Sequence, residues 1–116
     1  VDLYNAMRKE GPRRFVSIID GILAGQGNGP FCPEPKYSQV IILGDDLLQT
    51  DIVATRLMGF NPIKIKYLQH LMEQEGIDVE EIPFRTDQNE WENLFNKDSK
   101  FLNFKPPVRW DCLTVF

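Results

Sequence analysis

Cysteine is scarce in this chain: Cys32 and Cys112 lie eighty positions apart among 116 residues. So few thiols exclude a disulfide framework and point to a cytoplasmic protein with reduced cysteines. Neither has a second Cys or His at metal-binding spacing, which argues against zinc or an iron–sulfur cluster held within the chain. Basic charge is also in deficit, with thirteen Lys and Arg against seventeen Asp and Glu, a net charge of −4. No global positive field is present for nucleic acid. The longest wholly apolar run is Val40 to Leu43, too short to span a bilayer. A basic-then-apolar leader is missing, as are a Gly-x-Ser-x-Gly elbow and a Gly-Lys-Ser/Thr phosphate loop.

What is present fits a single globular domain over 1–116, with an irregular aromatic and proline tail from about 96 to 116. The composition, 42% hydrophobic and 26% charged, lies inside the ordinary range for such domains. Val1 is not an initiator methionine, and Asp2 reads as a helix cap. A fragment of a larger domain is therefore expected.

Local signals divide the chain. Asp2 to Glu10 predicts a short helix ended by Gly11-Pro12. Arg14 to Ile19 predicts a strand closed by Asp20-Gly21. The stretch from Gly21 to Tyr37 holds four glycines and three prolines and predicts an irregular loop. Ser38 to Leu43 predicts a strand covered on both faces, as in a parallel sheet. Asp46 with Gln49 forms a capping box for a helix to Met58, which Gly59 terminates. Asn61-Pro62 predicts a helix running to Glu75 and stopped by Gly76. Glu81 to Arg85, interrupted by Pro83, predicts an edge strand. Asp87 with Glu90 predicts a last capped helix through Phe95. The order β–loop–β–α–α–β–α predicts an α/β domain: a small, mainly parallel sheet with helices packed against it.

If the first two strands are parallel neighbours, the loops that follow them share one sheet edge, the usual ligand edge of open α/β sheets. One loop carries Asp20, Gly27, Asn28 and Gly29; the other carries Asp45 and Asp46 and leads to Asp51. Glycine amides can form a nest for an anion. The oxygens of Asp20, Asp46 and Asp51 are hard donors suited to a divalent cation. Asp51 falls in a stripe with Leu47, Ala54 and Met58, where an acid must be paired, hydrogen-bonded or protonated. Asp20 and Asp51 are the candidate catalytic groups; Gly27, Asn28, Gly29 and Asp46 the candidate ligand-binding groups. Each also has a structural reading, as a helix cap, a turn residue or a buried acid bonded to loop amides. His70 and the cluster Arg8, Lys9, Arg13 and Arg14 read as solvated surface.

Residues Ile18 to Leu68 resemble the conserved part of the bacterial and archaeal family called domain of unknown function 362. The resemblance rests on Ile19-Asp20-Gly21, Gly27-Asn28-Gly29-Pro30, Gly44-x-Asp46, Asp51, Ala54 and Met58-Gly59-Phe60-Asn61-Pro62, in that order. It implies the C-terminal portion of a domain that extends upstream, and it supports the choice of Asp20, Asn28, Asp46 and Asp51. Leu47 stands where many relatives carry proline. Some members bear a ferredoxin-type cysteine cluster, which implies an iron–sulfur protein as a partner; this chain's two cysteines cannot supply one.

Three functional expectations follow. The first is a binding or catalytic domain for an anionic small molecule, with a divalent cation, at the paired loops. The second is a redox-partner module for an iron–sulfur protein or domain outside the chain. The third is a structural segment with no site of its own.

Overall fold

A computed structural model describes residues 1–96, 99 and 101–113. Helix α1 spans Asp2–Lys9, strand β1 Ser17–Gln26, strand β2 Glu34–Gly44, helix α2 Leu47–Met58 and helix α3 Lys66–Glu75. Short 3-10 turns occupy Pro62–Lys64, Val79–Glu81, Asn89–Trp91 and Asp111–Leu113.

The sheet overturns the expected parallel arrangement. β1 and β2 form a two-stranded antiparallel hairpin, with Ser17 opposite Gly44 and Gln26 opposite Glu34. Together with three helices this is an α+β arrangement. The reason is the connection. Only residues 27–33 join the strands, whereas a parallel pair needs a crossover of about a dozen residues or more. Of the glycines and prolines that predict a long loop, Gly21, Gly25 and Pro35 lie inside the strands, and Gly27, Gly29, Pro30 and Pro33 form the short connection. A register irregularity between Gly21 and Leu23 sets Ser38 and Gln39 against the single residue Ile22, a bulge. Gln39 there takes φ +56°. The apolar run Val40 to Leu43 is not covered on both sides: Val40 and Ile42 are half-buried, while Ile41 and Leu43 are exposed.

The helices follow their local signals more closely. The Asp46 side chain accepts from Gln49 N at 2.8 Å and caps α2. Gly59 closes α2 at φ +94°, and its N–H donates to Arg56 O at 2.9 Å. At that φ a side chain would be strained, and a Cβ would meet Phe101 Cβ at 3.4 Å. The next segment splits. Pro62 opens a 3-10 turn, Ile65 N donates back to Pro62 O, and α3 begins only at Lys66. α1 carries no side-chain cap at its start; Asp2 lies inside it.

The predicted third strand is absent among the described residues. Pro83 has no N–H to give a ladder, and Ile82, 5% exposed, fastens the segment to the core as single extended chain. The helix expected after Asp87 is a 3-10 turn at Asn89–Trp91. Its start is braced by Thr86 Oγ1, which accepts from Gln88 N, and not by Asp87.

The core lies between α2, α3 and the 82–94 segment. Leu48, Ile52, Leu68, Leu71, Met72 and Ile82 form one buried cluster, with Val53, Ile65 and Phe95 packed against it. Arg56 is buried within this region. Its guanidinium donates to the carbonyls of Leu94, Phe95 and Asn96 and stacks on Phe101, 4.9 Å from the ring centre. Burial pulls its pKa down from the ordinary value. The three carbonyls thereby accept from a charged donor, the stronger kind of hydrogen bond. Among the described residues of the expected irregular tail, several backbone groups bond back to the helical part. Leu102 N donates to Leu57 O, Phe104 N to Met58 O, and Asn61 N to Leu113 O, at 2.7–2.9 Å.

Candidate functional site

The antiparallel register separates the two loops that were expected to meet. The glycine loop closes the far end of the hairpin, and Gly44-Asp45-Asp46 follows the end where β1 begins. Nine residue steps at about 3.4 Å put roughly 30 Å between those ends. Asp20 lies mid-strand opposite Ile41, on the sheet face turned away from α2. Asp51 is on α2, exposed, and receives the Tyr67 hydroxyl at 3.4 Å. Asp20 and Asp51 therefore stand on opposite sides of the sheet and share no pocket.

Each of these polar groups has a local partner. Asp20 Oδ1 accepts from Ile22 N at 3.0 Å, at the bulge. Asn28 Oδ1 accepts from Val108 N at 3.0 Å. Gly27 N donates to Lys105 O, and Gly29 N to Gly27 O, both at 2.9 Å. Two amides of the expected anion nest are thus engaged, and the loop serves to hold the tail. Lys105 adds an ion pair with Glu34 at 2.6 Å. Asp46 is the α2 cap. No group of three or more His, Cys, Asp or Glu among the described residues is arranged to hold a metal ion. Partial burial raises the Asp51 carboxyl above its ordinary range, against the lowering effect of the Tyr67 hydrogen bond. Asp51 is not in a sealed apolar stripe. The buried positions of α2 are Leu48, Ile52 and Thr55 on one line, Thr50, Ala54 and Leu57 beside it, and Arg56. Leu47 and Leu48 could equally start a stripe, and only packing chooses between them.

A different concavity is better formed. A groove of ≈ 950 Å³ runs between the inner face of β2, helix α2 and the segment 82–91. Its floor is the alternating set Ser38, Val40, Ile42 and Gly44; its apolar wall includes Val53, Leu57, Ile82 and Leu94. Trp91 and Arg85 line the opposite side. Thr50 closes one end, its hydroxyl donating to Asp46 O at 2.6 Å. A Cβ at Gly44 would collide with Thr50 Oγ1 and lie 3.2 Å from Thr50 Cβ. Glycine there lets α2 sit directly on the strand end.

Ser38 is the buried polar side chain of this groove that has no partner among the described residues. It is 8% exposed, and its Oγ makes no hydrogen bond to any described residue. A buried hydroxyl left unpaired costs about 1–3 kcal/mol, so something must favour its retention. Among the described lining residues the rim carries Asp45, Asp46 and Asp87 against Arg85. The sequence holds a signal for Ser38 that an irregular reading of 21–37 obscures. It occupies the same alternation as Val40 and Ile42, a polar residue at an inward position. Arg85 and Trp91 carry no such local signal, because the chain around them is not regular.

No family model, no curated protein and no solved structure matches this chain. No helix among the described residues is long and apolar enough to cross a membrane.

Proposed function

We propose that this chain is a binding domain for a small molecule with an apolar body and a neutral or cationic hydrogen-bonding end. The ligand occupies the groove between β2, α2 and the 82–91 segment. The observation that carries this reading is the unpartnered Ser38 hydroxyl on the floor of that groove. The volume of ≈ 950 Å³ is at the upper end of ordinary small-molecule pockets. Val40, Ile42, Val53 and Leu57 would cover the apolar body, Ser38 Oγ would bond one polar atom, and Trp91 would cover one face. Among the described lining residues, Asp45, Asp46 and Asp87 outnumber Arg85 at the rim, which disfavours an anion and favours a neutral or positive group. The ligand class thus departs from the anion with a divalent cation that glycine amides and aspartates suggest, since those groups neither converge nor stand free.

The test uses Trp91 as reporter. In a Trp110→Phe background, Trp91 is the remaining tryptophan. A fragment set divided into cationic, neutral and anionic members is titrated while Trp91 emission and backbone amide shifts are followed. Cationic and neutral fragments should move Trp91 together with Ser38, Val40 and Thr50. Ser38→Ala should weaken binding about three- to tenfold, the worth of one hydrogen bond, while leaving the free protein as stable or slightly more so. Shifts that avoid the groove, or affinities unchanged by Ser38→Ala, would overturn the reading.

A further inference from the structure

The second face of the same hairpin is apolar and open. Ile18 and Leu43 are opposite one another, as are Asp20 and Ile41, and Ile22 follows on the same side. Ile18, Leu43 and Ile41 are 68%, 68% and 59% exposed, and Val16, next in the alternation, is 74% exposed. Five branched aliphatic side chains in one strip amount to roughly a few hundred Å² of apolar surface, the size of the largest patch on a typical monomer, which is often functional. Its shape is specific. Two strands 4.7–4.9 Å apart offer a strip about 10 Å wide, the width of one helix, and Val16 to Ile22 runs about 20 Å, or nearly four helical turns.

Asp20 stands in the middle of this strip, between Ile18 and Ile22 and opposite Ile41. Its Oδ1 takes the Ile22 amide, and Oδ2 has no partner among the described residues. We propose that this face docks an amphipathic helix of a partner protein whose apolar stripe carries one Lys or Arg opposite Asp20. A second copy of the chain fits less well. A two-fold pairing lays the patch on itself and brings the two Asp20 carboxylates together, and like charges facing each other destabilise. A basic side chain in an apolar stripe satisfies both the aliphatic groups and the carboxylate. Ile41 and Leu43 also border the groove, whereas Ile18, Asp20 and Ile22 do not line it, so the β1 residues separate this proposal from the groove reading.

The probe is a synthetic helical peptide of about four turns, with leucines at i, i+4, i+7 and i+11 and a single Lys within the stripe. Its twin carries Glu at that position. The full 116-residue chain is titrated with each while amide shifts are recorded. The Lys peptide should shift Ile18, Asp20, Ile41 and Leu43, leave Trp91 emission unchanged, and bind about fivefold more tightly than its twin. Asp20→Asn keeps an acceptor for the Ile22 amide and removes the charge, so it should make the two peptides equal. Ile41→Gln should weaken both. The proposal is overturned if the fivefold preference survives Asp20→Asn or if the shifts lie elsewhere. It also fails if neither peptide binds while sedimentation shows the chain dimerising, or vesicles containing anionic lipid perturb the strip.

Discussion

Leu48, Ile52 and Leu68 on the helices are sealed to 2% exposure or less, whereas Ile18, Ile41 and Leu43 on the hairpin are more than half exposed. The two sets have similar hydropathy, and both sit in regular elements. The difference lies in what each element must cover. A helix needs only one stripe buried, and α2, α3 and the 82–94 segment supply that to one another. A two-stranded sheet has two faces, and α2 covers one. Apolar character therefore reports core in the helical part and an unoccupied surface in the hairpin.

Truncation should expose this contrast most strongly. Ile52→Ala, at a fully buried position, should cost about 3 kcal/mol by urea unfolding, from lost burial and the cavity left behind. Ile41→Ala should cost less than about 1 kcal/mol. Equal losses would mean that the hairpin face is buried in solution. The joint between the two parts comes next. Gly44→Ala drives a methyl into Thr50 and should cost about 2 kcal/mol, the usual scale of overpacking. Combining it with Thr50→Ala should recover part of that loss. A strictly additive double variant would show that α2 does not rest on the strand end.

Capping effects are smaller. Asp46→Ala removes the bond to Gln49 N and should cost about 1 kcal/mol. Asp87→Ala, at a residue of the same type with no capping role, should cost close to nothing. The smallest effect is a pH dependence. The Asp51 carboxyl titrates above its ordinary 3.8, chiefly through partial burial. A raised acid pKa means that the folded state holds the proton more tightly. This contribution is present in full below the unfolded pKa and is lost as pH rises through the folded one. Asp51→Asn should abolish that slope in pH-dependent denaturation and leave the protein slightly more stable at neutral pH. Exposure of the group keeps the effect small. A slope that persists in the variant would belong to another carboxyl.

The two regions also differ in how far local residues foretell them. The α2 boundaries follow from Asp46, Gln49 and Gly59, because a cap and a left-handed stop are satisfied within one turn of chain. In the hairpin, the glycines and prolines of 21–37 suggest irregularity, yet Gly21 and Gly25 lie within β1 and Pro35 within β2. Gly21 is needed because a Cβ there would come within 2.9 Å of Val40 Cγ2 across the ladder, a contact that depends on register. The same limit governs the site. Asp20, Asn28, Asp46 and Asp51 draw notice as polar residues near turns, and three of them bond backbone N–H groups, while Asp51 meets a tyrosine. Ser38 draws less notice and is the buried side chain left unpaired among the described residues.

Helix ends, net charge, the shortage of thiols and the lack of a long apolar run are properties of neighbouring residues or of the whole composition, so they can be read without coordinates. Strand direction, the choice between the Leu47 and Leu48 stripes, the burial of Arg56 and the separation of Asp20 from Asp51 were settled only when distant segments came together. Each depends on which surfaces meet across the chain, and hydropathy and spacing do not encode that pairing one residue at a time.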